Sequence, residues 1–453
     1  MANKRKSVLA ITTILGLSMS SFSNSLAQQN VQVLASPEDT QEEVQIENKE
    51  SNEVNNVVGE TGSKGRGYVK PAYEYKYSNC AINSGDTKHK FYGNSSLPVQ
   101  YNADINNLAY IPSVKNQGAL STCWTFASNN ILESFLMKQN NVNDTTHFDF
   151  SENHMRYALG NENGDFMGFA RANDGGGNVD MAVAYWSRGL DGWNGPVAES
   201  KDPYIESSES REISDISSVM PDNYYVSKVI NLGNLEGDYG QAEKNEYIEN
   251  VKQLVYKYGS VAVSYNSSGV DGFNCNPNEE HENVAYYCND DETDHAVSIV
   301  GWNDNYSRSN FNETNSPSRD GAFLVKNSWG TEWGMNGFLW RSDDTYFQEV
   351  YTVAKVDTRD ELCDNIYGYD EHGICDSIYY TEGAKQIYYY SEYQTTDSDY
   401  EALTAVSTYC LEPGNCYEIY LDPDIYTDDE LIKLEIEDYE YTVRMYKKYD
   451  VKI

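Results

Sequence analysis

Between Val114 and Ala127 the chain reads Val-Lys-Asn-Gln-Gly-Ala-Leu-Ser-Thr-Cys-Trp-Thr-Phe-Ala, and this stretch with the residues after it constrains the fold most. Trp124, Ala127, Ser128, Ile131 and Phe135 recur at spacings of three and four, the period of a helix with one buried face. The pattern predicts a helix running to about Gln139. Cys123 then sits at or near the helix N-terminus, where unpaired N–H groups and the macrodipole favour a thiolate over a thiol. Gln117 carries an amide that can donate to an oxyanion formed near the sulphur, with the Cys123 backbone N–H as a second donor.

Two later stretches carry matching chemistry. In Asp294-His-Ala-Val-Ser-Ile-Val-Gly-Trp302, His295 opens an apolar run that reads as a buried strand. A lone His before a strand is more often structural than catalytic. The third stretch, Gly321-Ala-Phe-Leu-Val-Lys-Asn-Ser-Trp-Gly-Thr-Glu-Trp-Gly334, changes those odds, because a strand there ends on Asn327 and is followed by Ser-Trp-Gly. Taken together over roughly residues 97–355, the Gln117–Cys123-Trp, His295 and Asn327-Ser-Trp-Gly segments resemble the papain-like cysteine peptidases in order and local context. The resemblance implies an α+β, papain-like two-lobe fold, with a helical lobe and a β-barrel-like lobe. It implies that Cys123 is the nucleophile, that His295 pairs with it, that Asn327 orients the imidazole and that Trp329 covers the pair from water.

The same resemblance assigns further positions. Gly176 and Gly177, in Asp174-Gly-Gly-Gly-Asn, fall where the family has a Gly-Gly pair that hydrogen-bonds the substrate backbone two residues before the cut. Ser264 falls on a wall of the main specificity pocket, and Asp294 beside the His joins the substrate-contacting set. The chain departs from the family at Leu120 and Asp174: each stands where the family has a Cys, and the two normally form one bridge. Joint loss of both partners fits removal of a structural disulfide rather than decay of the site.

The flanks set the compartment. Lys4-Arg-Lys6, the apolar run from Val8 to about Leu17 and the small-x-small Ser25-Leu-Ala27 read as a secretory signal peptide over residues 1–27. No other run approaches the ~20 apolar residues of a spanning helix, so the mature chain is expected to be exported, without a transmembrane segment, secreted or surface-associated. Residues 28–96 are read as a flexible acidic leader or pro-segment; up to about residue 66 they are rich in Glu, Asn, Gln and Ser with hardly an aromatic. A formal charge of −38 excludes nucleic acid as a partner and leaves polypeptides, including cell-surface proteins, as the substrates.

The peptidase domain is expected over 97–356, with strands at Val226–Leu232 and Ser260–Tyr265 and a helix over Lys244–Tyr258 between them. Ser151 is expected to N-cap a short helix with Glu152 in its first turn, and His154 on that helix reads as packed rather than catalytic. Residues 357–453 show strand-like runs at 405–409, 417–421, 431–437 and 441–445, and resemble the lectin-like module that follows the peptidase in some clostridial surface cysteine peptidases, possible truncation included. A β extension that only packs on the peptidase is the equal alternative. A glycan partner follows only from the first of these. Asp422, Asp424 and Asp428–Glu430 are candidate Ca²⁺ contacts, against the blander reading of a solvated acidic face; no cofactor or metal is required by the chemistry. The chain has eight Cys. Export makes Cys275 with Cys288, Cys363 with Cys375 and Cys410 with Cys416 candidate disulfides, leaving Cys80 over. Two readings compete with an active endopeptidase: an inactive peptidase-like scaffold serving as a surface or glycan-binding protein, and another Cys/His acyl transferase such as a cell-wall amidase.

Overall fold

The computed structural model describes residues 66–71 and 74, most of 97–358, and the strands at 8–13, 389–394, 419–422 and 432–434. The chain divides into two units, one of Met1–Asn52 with Asp360–Ile453 and one of Glu53–Arg359. In the first, β1 (Val8–Thr13) is flanked by strands at Tyr389–Gln394 and Ile419–Asp422, and the latter pairs with Ile432–Leu434, all antiparallel. β1 contains the apolar run expected above to be an export signal. Two of the four strands foreseen in the tail have counterparts, at 419–422 and 432–434; those at 405–409 and 441–445 lie outside the described residues.

The larger unit is built around α1 (Cys123–Gln139), which has the foreseen bounds but not the foreseen single buried face: every residue from Cys123 to Met137 is buried. Several of its polar side chains find partners instead of water, although the Ser128 hydroxyl has none among the described residues. Asn129 donates to the Phe150 carbonyl at 3.0 Å, Asn130 to Ser260 Oγ at 3.2 Å and Ser134 to the Tyr110 carbonyl at 2.8 Å. Two shorter helices pack against it, α2 (Glu152–Ala158) and α3 (Val179–Ser187). Ser151 caps α2 as foreseen, its hydroxyl accepting the His154 N–H at 2.8 Å. His154 is packed: its Nδ1 lies 2.6 Å from the Tyr185 hydroxyl, and burial pushes its pKa down to about 4.

The other side of α1 meets a sheet. β2 (Gln100–Tyr101), β3 (Tyr225–Asn231), β4 (Val261–Tyr265), β5 (Ala285–Tyr286), β6 (His295–Asn303), β7 (Ala322–Lys326), β8 (Phe338–Ser342) and β9 (Gln348–Asp357) form one eight-stranded sheet. The order β3-β9-β4-β6-β7-β8-β5, with β2 alongside β6, is an open path; the barrel-like lobe foreseen is a sheet whose ends do not pair among the described residues. A fourth helix, α4 (Gln241–Tyr258), starts three residues earlier than its apolar pattern indicated, because Glu243 reaches back to accept the Gly240 N–H at 2.9 Å.

A buried ionic cluster lies beneath α1. Lys115 Nζ is 3.0 Å from Glu133, 2.9 Å from Glu152 and 2.7 Å from Asp149. Burial alone would discharge this lysine, but the three carboxylates outweigh burial and hold its pKa well above the ordinary value. Burial likewise lifts Glu133 to about 7 despite Lys115. Removing the cation leaves buried carboxylates unpaired. Lys115→Met is expected to cost about 3–5 kcal/mol, read as a lowered urea midpoint at neutral pH; an unchanged midpoint would show the cluster to be energetically idle.

Candidate active site

Cys123 opens α1 directly after Thr122, whose carbonyl accepts the Thr125 N–H at 3.0 Å and so starts the helix. The sulphur is wholly buried against β6, where Sγ accepts the Ala296 N–H at 3.4 Å. That contact brings His295, the preceding residue, to the mouth of the helix. His295 Nε2 lies 2.9 Å from Asn327 Oδ1, which leaves Nδ1 as the nitrogen for the sulphur. Asn327 follows the last residue of β7, and its backbone N–H donates to the Gly337 carbonyl at 2.9 Å. The Trp329 ring stacks on the imidazole at 4.7 Å between centroids and 23° between planes, and Trp333 closes edge-on behind it at 5.0 Å. Thus three sequence-distant segments converge.

Gln117 is fully buried and fixed at both ends of its amide. Its Oε1 accepts from Ser328 Oγ at 2.5 Å, which forces Nε2 outward as a donor; Nε2 donates to the Leu120 carbonyl at 2.8 Å and to the Arg66 carbonyl at 3.2 Å. A carbonyl oxygen of the leader therefore rests on the very amide expected to serve an oxyanion. Burial pushes the Cys123 thiol up to about 12, against the lowering effect of the N–H groups of Ala296, Trp124 and Cys123 itself. Burial thus favours the thiol over the thiolate. Its ionisation needs the imidazolium of His295 as a counter-charge, because a lone buried thiolate is too costly.

Residues 66–71 occupy the cleft. The Gly67 carbonyl accepts the Gly177 N–H at 2.9 Å, and the Val69 N–H donates to the Gly177 carbonyl at 3.0 Å, so Tyr68 pairs with Gly177 in parallel. The Tyr68 N–H donates to the Asp294 carbonyl at 3.2 Å, and Arg66 Nε is 3.4 Å from the Asp294 carboxylate. Gly176 admits this approach, since a Cβ on it would lie 2.6 Å from the Gly67 carbonyl oxygen, and Gly177 admits Trp124, whose indole would lie 2.5 Å from its Cβ. Gly176, at φ +75°, shapes the same turn, and the buried Ser264 lines the pocket that receives the Tyr68 ring. The globular part was foreseen to begin near Leu97, yet this piece of the leader lies against it. The signal was the return of an aromatic and a β-branched residue in Gly67-Tyr-Val69 after a long polar run.

Asp174 explains how the loop holds without the family bridge. Its carboxylate accepts the Ser121 N–H, tying together the two loops that Leu120 and Asp174 occupy. Sequence reading noted the missing cysteines but not this substitute. Cys288 corrects the proposed Cys275–Cys288 bridge: it carries a free thiol and is buried beside Tyr286 and Arg341. Cys275 itself lies outside the described residues, as do Cys80, Cys363, Cys375, Cys410 and Cys416. Of the Ca²⁺ candidates, Asp422 ends a strand, and Asp424 and Asp428–Glu430 lie outside the described residues. Among the described residues no three His, Cys, Asp or Glu side chains converge as a metal-binding group, and no helix is long and apolar enough to cross a membrane.

The chain belongs to the papain family of cysteine proteases: the family signature, "Papain family cysteine protease", matches residues 97–358, more than half of the sequence. Among curated proteins it is similar to cathepsin K of Gallus gallus, 26% identical over 241 residues, which are 52% of this chain and 57% of that protein. It is also similar to procathepsin L of Mus musculus, 26% identical over 251 residues, 54% of this chain and 60% of that one. Among solved structures it resembles the clostridial cysteine protease Cwp84 after propeptide cleavage, with 28% identity, TM-score 0.46, and coverage of 58% of this chain and 59% of that one. It also resembles the cysteine protease and lectin-like domains of Cwp84, a surface layer associated protein of Clostridium difficile, with 24% identity, TM-score 0.47, and coverage of 78% and 60%. The chain thus spans less than two thirds of the length of these relatives.

The closed cleft yields a prediction. Gly67 has φ +120°, and a Cβ there would lie 2.2 Å from the Ser121 carbonyl oxygen. Gly67→Val is expected to expel the segment and raise the rate of Cys123 alkylation by iodoacetamide at least about tenfold, since access and thiolate fraction govern that rate. Peptide mapping separates Cys123 from Cys288. An unchanged rate would mean that residues 66–71 do not shield the thiol.

Proposed function

We propose that the chain is an exported cysteine endopeptidase, made in a latent form, that hydrolyses peptide bonds of proteins outside the cell, cell-surface proteins included. The observation that carries this reading is the convergence on one sulphur of a helix start, the Ala296 N–H beside His295, and an Asn327-held, Trp329-covered imidazole. An inert scaffold has no need of an amide held outward by Ser328 or of an imidazole fixed on its far nitrogen.

With the leader displaced, proton transfer from Cys123 to His295 gives a thiolate–imidazolium pair. The thiolate attacks the scissile carbonyl carbon, and the carbonyl electron pair moves to oxygen, into the reach of Gln117 Nε2 and the Cys123 N–H. Collapse of that tetrahedral species expels the amine, which takes its proton from His295, and leaves a thioester. His295, neutral again, then draws a proton from water, whose oxygen attacks the thioester and frees the acid and the sulphur. Asn327 keeps the ring in plane without adding a charge, and Trp329 keeps water off the hydrogen bond it covers. Gly177 and the Asp294 carbonyl, which now pair with the leader, are then open to the substrate backbone.

Cys123→Ala is expected to abolish peptide turnover with an unchanged circular dichroism spectrum. Gln117→Ala is expected to lower kcat about a hundredfold, or about 3 kcal/mol of barrier, with little change in KM, because its contact strengthens only as charge develops on oxygen. Steady-state kinetics on a fluorogenic peptide after removal of the leader checks both. Turnover by Cys123→Ala, or a pure KM effect in Gln117→Ala, contradicts the mechanism.

A further inference from the structure

One phenol touches both ends of the loop that carries the two oxyanion donors. The loop runs from Gln117, whose side-chain amide is one donor, to Thr122, the residue before the Cys123 N–H, which is the other. Tyr204 Oη donates to the Gln117 carbonyl at 2.9 Å and lies 2.8 Å from Thr122 Oγ1. A phenol has a single proton, and the Gln117 carbonyl takes it, so the Thr122 hydroxyl is the donor in the second bond. The chain from the Thr122 hydroxyl through the Tyr204 hydroxyl to the Gln117 carbonyl therefore runs in one direction, and its members polarise one another. Burial pushes the Tyr204 pKa up, which keeps the phenol a donor throughout the neutral range.

Gln117 is held from the other side by Ser328. Its backbone N–H donates to the Ser328 carbonyl at 2.8 Å, and its side-chain oxygen accepts from Ser328 Oγ at 2.5 Å. Beyond Gln117 the loop turns through Gly118 at φ +64°, and glycine lends such a turn no stiffness, so its span has to be fixed from outside. Tyr204 stands on a firm base for that purpose. Its backbone N–H donates to the Glu199 carboxylate at 2.7 Å, and its ring meets Phe126 of α1 edge-on at 4.9 Å. The residues after it are tied to α2: Arg156, wholly buried, donates to the Ile205 carbonyl at 3.1 Å and to the Ser207 carbonyl at 2.6 Å. Glu206 adds an exposed contact to the same loop by accepting the Ala119 N–H at 2.8 Å.

We propose that Tyr204 is a positioning residue for peptide hydrolysis: its hydroxyl staples the two ends of the loop and so sets how far apart the Gln117 amide and the Cys123 N–H stand. The inference rests on the peptidase reading above. The hydroxyl bonds to neither Cys123 nor His295, and it acts only through the donors it places. Donors that meet charge as it develops must be in place beforehand, whereas binding of the uncharged substrate does not depend on their spacing.

Tyr204→Phe keeps the ring and removes only the oxygen. In the full chain activated by removal of its leader, this variant is expected to lower kcat on a fluorogenic peptide about tenfold, as the loss of a bond to a buried carbonyl allows. KM is expected to change by less than about twofold. In a Gln117→Ala background the same substitution is expected to cost less than about threefold, because one of the donors it places is already gone. Thr122→Val removes the phenol's other partner and is expected to give the same loss confined to kcat, so the test survives misfolding of either variant. An unchanged kcat in both single variants, a loss carried by KM, or equal losses with and without Gln117 overturns the inference and leaves the peptidase reading in place. A wild-type chain that cleaves no peptide overturns the peptidase reading, and hydrogen exchange in the uncleaved chain then decides whether the phenol holds the loop. Exchange of the Gln117 amide is expected to quicken at least about tenfold in Tyr204→Phe, with that of Ile131 inside α1 unchanged. No change at Gln117, or an equal rise at both amides, overturns the inference.

Discussion

The burial of one sulphur atom governs this structure. Cys123 begins a helix enclosed from its first residue to Met137, and its sulphur touches the backbone of β6 rather than solvent. A helix start offers N–H groups to a thiolate, but at full burial desolvation outweighs them, and the thiol is pushed up to about 12. The balance can be reversed only by a cation delivered at the sulphur. Hence the sheet must present an imidazole at the first residue of β6, and hence that ring must be held from behind by Asn327 and roofed by Trp329. The polar side chains along α1 follow from the same enclosure. Most of them have a fixed partner, and Lys115, two residues before Gln117, gathers Glu133, Asp149 and Glu152.

Residues 66–71 occupy the same donors. They run parallel to Gly177, lay the Arg66 carbonyl on Gln117 and fill the adjoining pocket with Tyr68. Gly67 is the crossing point, with no room for a side chain over the Ser121 carbonyl. Gly177, Asp294 and Gln117 thus all meet the same short segment, residues 66–71.

The site was largely legible in the sequence, because its parts lie in short, strongly patterned segments. The period of Trp124 to Phe135 marked the helix, and the apolar runs after His295 and before Asn327 marked two neighbouring strands, β6 and β7, which pair in the structure. What could not be read was long-range. Glu349 has no motif; its burial follows from a one-residue bulge between β4 and β9, which depends on register rather than on composition. Asp174 could be seen as a missing cysteine but not as the acceptor of the Ser121 N–H. The full enclosure of α1 was hidden because its second face is polar, and only the partners across the fold explain why those residues are inside. The proposed bridge from Cys288 rested on nearness in sequence, which does not bring two sulphurs together.

The central claim is that Cys123 becomes a nucleophile only when His295 is beside it and the leader is gone. Labelling with an epoxysuccinyl probe, before and after removal of the leader, followed by peptide mapping, tests it most directly. The account predicts modification at Cys123 alone, only after the leader is removed, and none in His295→Ala. Equal labelling of Cys123 and Cys288, or undiminished labelling of Cys123 in His295→Ala, would show that the thiol owes nothing to the imidazole and would contradict the account.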